Sequence, residues 1–190
     1  MSDETADGSL NVGERLELPM EKVGKQRYLV HLPDMDYGSL LVPHQYGEVA
    51  MVIQRTAGWV LLQTKADYPP GTFRIPTGTL RKGESAERTM LRELTEEANL
   101  IPGRHRKLCR LDYQFEGRHE GFHTIAYLIE EPQGKLMPVD QAEAITAWRE
   151  AQIADLPNVA RELRRLEPPR QGWGVFRSAI HQLLGDLLTE

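Results

Sequence analysis

The chain has 190 residues and only one cysteine, Cys109. No intramolecular disulfide framework is available to it, and Cys109, within a strand-like run, reads as a small core residue rather than a nucleophile. No apolar run approaches the roughly 20 residues of a membrane span, and the acidic N-terminus lacks a signal-peptide pattern, so the expectation is a cytoplasmic protein with no membrane partner. Excess basic charge is missing too. A net charge of −5 at pH 7 argues against binding nucleic acid by bulk charge, so none is expected as a partner. It leaves room for a small anionic substrate held through a cation. Internal repeats and low-complexity tracts are absent. The length suffices for one hydrophobic core with short appended elements.

What the sequence does have is concentrated in Gly78–Leu100, GTLRKGESAERTMLRELTEEANL. The spacing predicts a helix over roughly 85–98, closed by Asn99 and Pro102-Gly103. Glu93, Glu96 and Glu97 stand at i, i+3 and i+4 and share one arc of about 100°. Like charges at those spacings repel by about 0.2–0.5 kcal/mol per pair, and the helix C-terminus disfavours negative charge further. Arg92 offsets only part of this. With Ala86 as zero, Met90, Leu94, Ala98 and Leu91 cover an arc from about 40° to about 140°, with Glu97 near roughly 20° and Glu93 near roughly 340°. Two glutamates therefore abut the buried stripe instead of opposing it. A solvated acidic helix end is the bland reading. A bound hard cation such as Mg²⁺ is the functional one, since the donors are carboxylate oxygens without Cys or His.

Along the rest of the chain, residues 1–26 form a polar, partly disordered lead-in, and 27–190 read as a single domain. Strands are expected at Arg27–Leu32, Ser39–Val42, Glu48–Arg55, Trp59–Lys65, Phe73–Ile75, Lys107–Tyr113, Phe122–Ile129 and Ala144–Trp148. Glu48–Arg55 and Trp59–Lys65, separated by Thr56-Ala57-Gly58, read as a hairpin. Two helices follow near 157–166 and 173–188, divided by Pro168-Pro169. In the second, Trp173, Phe176, Ile180, Leu184 and Leu187 recur at helical spacing, a stripe suited to packing on a sheet or on a second subunit. The fold class is α/β (α+β).

The spacing Gly78, Glu84, Arg92-Glu93-Leu94-Thr95-Glu96-Glu97, Leu100 resembles the Nudix hydrolase signature GX5EX7REUXEEXGU. Asn99 stands in place of the late glycine, where an αL residue after the helix tolerates Asn. Arg74-Ile75-Pro76-Thr77-Gly78 is also similar to the family's strand-to-loop approach, with Thr77 where a second glycine is common. The resemblance implies an α/β/α sandwich with a mixed central sheet and a Mg²⁺-dependent hydrolase, with Mn²⁺ as a substitute. Such an enzyme cleaves a phosphoanhydride bond by metal-activated water. It implies Glu93, Glu97 and Glu96 as metal ligands, with Glu96 alternatively positioning water, and Arg92 orienting Glu93. Glu84 is structural or an outer ligand. Gly78, Arg74 and Arg81 would meet the substrate, with Lys82 beside them. For a general base or further ligand, Glu143 comes first, then Asp140 and Glu120.

The six histidines are scattered and read as surface or satisfied core residues, with His119 and His123 alone meriting a substrate-contact test. The expected partner is a nucleotide-type small molecule, a nucleoside diphosphate linked to another moiety. The stretch before the core is somewhat like the N-terminal strands of nucleotide-sugar pyrophosphatases, which often pair, so a homodimer is compatible. The proline that often marks ADP-ribose-cleaving members is absent, with Phe115, Glu116 and Gly117 in that region. A non-catalytic nucleotide-sensing domain is the alternative, and a structural protein with an acidic helix the third reading. Because of the glutamate repulsion, Glu97→Gln is expected to leave the metal-free fold intact or slightly more stable.

Overall fold

A computed structural model describes residues 16–38, 47–119 and 121–189. The expected strand Ser39–Val42 and the candidate Glu120 lie outside the described residues. Eight strands and three helices are present among them: β1 (Met20–Gly24), β2 (Arg27–Leu32), β3 (Gly47–Gln54), β4 (Trp59–Lys65), β5 (Thr77–Thr79), α1 (Ala86–Ala98), β6 (Arg104–Phe115), β7 (Gly121–Glu130), β8 (Ile145–Gln152), α2 (Leu156–Arg164) and α3 (Gln171–Thr189). Six strands form a mixed sheet in the order β1-β2-β6-β7-β3-β5, and β4 and β8 form a second, two-stranded sheet. The pairs β2–β6 and β3–β7 are parallel and the rest antiparallel. Strand β1 pairs with β2 from inside the segment 1–26, so part of that expected lead-in belongs to the sheet.

The alternation of side chains along β3 and β7 explains the layers. Val49, Met51 and Ile53, with Tyr127 and Ile129, face Met90, Leu94 and Ala98 of α1. Ala50, Val52, Ala126 and Leu128 face the other way, onto a core shared with Val159, Leu163, Phe176, Ile180 and Leu184. A strand covered on both sides reads as an unbroken apolar run, and all of Gly47–Ile53 is buried. The expected α/β/α sandwich with a mixed central sheet is what the chain forms. Each large apolar side chain so buried contributes about 1.5–3 kcal/mol.

Two local expectations need correcting. Trp59 N–H does donate to Thr56 O across the turn, at 3.0 Å, but β3 and β4 do not pair as a hairpin. β3 is flanked by β7 and β5, whereas β4 pairs with β8. β3 has both of its edges taken, by β7 and by β5, so β4 must leave the sheet. At Phe73–Ile75 only Arg74 bridges to Gln63, and the strand forms later, at Thr77–Thr79.

Helix α1 has defined ends. Ser85 is extended (φ −75°, ψ 153°), and its Oγ accepts from Arg88 N–H. Asn99 adopts αL (φ 56°, ψ 38°), its N–H donating to Leu94 O and Thr95 O, and its Nδ2 to Lys135 O at 3.1 Å. Leu91, placed on the apolar arc by spacing, is instead 36 % exposed. Burial extends past that arc on its other side, to Glu93 and Glu97.

The stripe on α3 packs on the sheet, and α3 also holds the loop before β5 through buried polar contacts. His181 Nδ1 donates to Arg177 O (2.7 Å) and its Nε2 accepts from Ile75 N–H (2.9 Å). Arg177 Nη1 donates to both oxygens of Glu48 at 2.7 Å, and Thr124 Oγ1 donates to Glu48 as well. Burial pushes the His181 pKa down to about 3. The folded value lies below the unfolded one of about 6.5, so the unfolded chain binds the extra proton. This stability is complete above the unfolded value and falls as pH drops through it, by up to about 1.4 kcal/mol per unit. Melting temperature followed on acidification should therefore fall less steeply for His181→Gln than for wild type, whatever the offset between them.

Candidate active site

Three carboxylates converge where α1, β4 and the loop before β8 meet. Glu93, Glu97 and Glu143 each offer an oxygen, and these atoms lie within 4.8 Å of one another. Glu93 and Glu97 stand one turn apart on α1, facing the sheets. Glu143 arrives from the segment before β8, and the helix end explains why. The last carbonyls of a helix lack intrahelical donors. Here Met137 N–H donates to Ala98 O, and Val139 and Asp140 N–H donate to Glu96 O, at 3.0–3.2 Å. Asp140 Oδ1 accepts from Ala142 N–H and shapes the turn that presents Glu143.

Two cations divide the negative charge. Arg92 Nε and Nη2 donate to the two oxygens of Glu84, Nη1 to Glu93 (2.6 Å) and Glu96 (2.9 Å), and Nη2 also to Thr79 O. Arg92 thus donates a charge-assisted hydrogen bond to Glu93, and Glu84 in turn fixes Arg92 while accepting from Thr89 Oγ1. The Arg92 hydrogen bond holds Glu84 down to about 2. On the other side Lys65 Nζ donates to Glu97 Oε1 (2.9 Å) and Glu143 Oε2 (2.5 Å). Burial pushes Glu97 up to about 7, against the pull of Lys65. Burial raises Glu93 also, despite Arg92. Glu143 is lowered: burial works against its charge, but the hydrogen bond and charge of Lys65, the hydrogen bond with Glu97 and the Arg74 charge together outweigh it.

Lys65 and Gln63 were not singled out in the sequence. The available signal is the period of β4: Leu61, Gln63 and Lys65 share one face, and Leu61 packs against α1. Gln63 is fully buried; its Nε2 lies 3.3–3.4 Å from the Glu97 oxygens, and its Oε1 has no hydrogen-bond partner among the described residues. The lysine also amends the stability expected for Glu97→Gln. The substitution removes a buried ion pair along with the repulsion, so a more stable metal-free fold no longer follows.

The remaining sequence candidates divide. Glu96 is more exposed than Glu93 and Glu97, and it sits on the Arg92 side, with Arg81 Nη2 at 3.8 Å. Arg81 is exposed. Arg74 is buried, with Nε donating to Tyr68 Oη and Nη1 to Ile75 O and Thr77 Oγ1. His119 and His123 belong to the β6–β7 end, whereas the clustered carboxylates draw on other elements. Cys109 is buried in β6 and its thiol is pushed up to about 12 by burial, as suits a core residue.

Gly78 has a specific steric reason. A Cβ there would lie 1.9 Å from Glu93 Cγ and 2.7 Å from Glu93 Cβ, so β5 and the glutamate touch only because the side chain is absent. Gly78→Ala should displace the Glu93 carboxylate and cost about 1–3 kcal/mol from overpacking. Thermal melts with and without Mn²⁺ check this. Unchanged stability and an unchanged Mn²⁺ shift would show that the contact does not set Glu93.

Comparison with known proteins places this arrangement. Residues 45–169 match the NUDIX domain. Among solved structures, the MutT NUDIX hydrolase from Burkholderia pseudomallei superposes with a TM-score of 0.53 at 19% identity, covering 75% of this chain and 97% of that one. The E. coli ORF135 protein does so with a TM-score of 0.50 at 19% identity, over 75% of this chain and 87% of its own. These likenesses concern the fold. The curated proteins give no significant match. No helix among the described residues is long and apolar enough to cross a membrane. The domain match spans well over half of the chain and contains the glutamate helix, its arginine and Glu143, so the protein belongs to the NUDIX family.

Proposed function

We propose that the protein hydrolyses a phosphoanhydride bond in a nucleoside diphosphate linked to another moiety, with Mg²⁺ held by the carboxylates of α1. The observation that carries this reading is the convergence of Glu93, Glu97 and Glu143 to within 4.8 Å. An all-carboxylate donor set suits a hard cation, and Mn²⁺ is a reasonable substitute. The buried, unpartnered Oε1 of Gln63 beside Glu97 adds a further oxygen at the same place. A bound divalent cation would neutralise the diphosphate's charge and ease attack by water.

The chain's own residues supply the rest. Arg92, fixed by Glu84, holds the Glu93 carboxylate in place by a charge-assisted hydrogen bond. Glu96, more exposed than Glu93 and Glu97, is either a further ligand or the group that positions the attacking water and takes its proton. Glu143 closes the site from the loop, as a further ligand or as the base. Arg81, exposed beside Glu96, meets a phosphate from solvent, while Arg74, internally hydrogen-bonded, acts from beneath by its charge. We place the activity in the cytoplasm, and we propose a homodimer formed at the outer edge of β1, which pairs with no strand but β2 among the described residues.

The test is phosphate release from nucleotide sugars, dinucleoside polyphosphates and nucleoside triphosphates with Mg²⁺ or Mn²⁺, coupled to a phosphatase or pyrophosphatase. Turnover should vanish in EDTA, and Glu97→Gln should lower kcat by orders of magnitude while the circular dichroism spectrum is kept. Metal binding without turnover on any substrate would favour the nucleotide-sensing reading instead.

A further inference from the structure

Lys65 occupies an unusual place for a strand-terminal lysine. Its ammonium donates to Glu97 and Glu143 together, two of the three carboxylates that converge, and its side chain is only 15 % exposed. Glu97 is 1 % exposed, so water does little to compensate its charge. The lysine is therefore the local counter-ion of a buried carboxylate pair. Its contacts use Glu97 Oε1 and Glu143 Oε2, on two of the three carboxylates that converge as a metal-holding cluster. An ammonium and a dication on the same two carboxylates would stand a few Å apart in a site of low dielectric, where like charges repel strongly.

We propose that Lys65 and a divalent cation compete for the Glu97 and Glu143 oxygens, so that the lysine holds the site assembled without metal and swings away when metal enters. This rests on the metal reading of the site. The residue types fit an exchange of this kind. Lysine is a point charge on a flexible four-carbon stem and can leave by rotation. Arg92, by contrast, is held by Glu84, Glu93, Glu96 and the Thr79 carbonyl at once, and stays. Glu143 need not follow the departing lysine, because its loop is tied by backbone hydrogen bonds to the end of α1. The exchange then replaces one cation by another with little movement of the carboxylates. Lys65 is in this sense a positioning residue that sets how tightly the metal is held.

The decisive measurement is Mn²⁺ binding by calorimetry to wild type and Lys65→Met, at alkaline pH so that protons compete little. Losing a charge-assisted competitor should tighten Mn²⁺ binding roughly ten- to a hundredfold. Lys65→Met should also melt lower than wild type in EDTA, with Mn²⁺ restoring it. A merely structural lysine would leave affinity unchanged or weaker and the melting loss unrepaired by Mn²⁺, and that result overturns the proposal. Should Lys65→Met not fold, wild type answers alone. Labelling of Lys65 by an amine-reactive reagent, read by mass spectrometry, should accelerate when Mn²⁺ is added, and an unchanged or slower rate overturns the competition. Wild type that binds no Mn²⁺ removes the metal reading and this inference together. Wild type that binds it, with Lys65→Met unaltered, removes this inference alone.

Discussion

Carboxylates gathered at the edge of a hydrophobic core must be compensated, and the architecture around α1 answers to that requirement. Arg92 collects Glu84, Glu93 and Glu96, while Lys65 collects Glu97 and Glu143. Each cation draws its anions from separate parts of the chain. Arg92 joins the helix to the loop ahead of it and, through Thr79, to the end of β5. Lys65 joins β4 to the helix and to the loop before β8. The charges that make a metal site plausible are thus also the ties between its elements. A buried carboxylate left without its cation would cost several kcal/mol.

The rest of the fold arranges for those partners to meet. β3, buried on both faces, lies between β7 and β5, and it places β5 with Gly78 along one edge. Glu93 then crosses Gly78 where a side chain would collide with it. On the opposite face α3 reaches the same loop by two buried links, His181 to Ile75 and Arg177 to Glu48 and Thr77. Helices on both faces of the sheet therefore converge on one short segment, Ile75–Gly78. Thr77, which replaces a glycine common in the family, has a use here: its hydroxyl accepts from Arg74 and Arg177.

Much of the fold was legible because it depends on local periodicity and capping. The 3.6 period and the Asn99 signal fixed α1, and Asn99 takes the αL conformation that its chemistry allows. Apolar runs located β2, β3, β4, β6 and β7 to within a few residues. Pairing was less accessible. The turn at Thr56–Gly58 suggested a hairpin, but strand partners depend on which edges remain free once a doubly buried strand is central. β5 was misplaced for a similar reason, since three residues carry little pattern of their own.

The candidate site divides along the same line. The sequence by itself determined that Glu93, Glu96 and Glu97 share one arc of one helix, with Arg92 on the same helix beside Glu93, because a helix repeats within a few residues. It also marked Glu143 as a candidate, though only from its position ahead of a strand. Tertiary structure alone decided that Glu143, rather than Glu96, completes the tight carboxylate cluster. The deciding contacts are hydrogen bonds from the loop's backbone to the carbonyls ending α1, which no side-chain pattern announces. It alone put Lys65 among the glutamates. Residues 65, 97 and 143 lie far apart in the chain, and only the packing of β4 and β8 beside α1 brings their charges within a hydrogen bond.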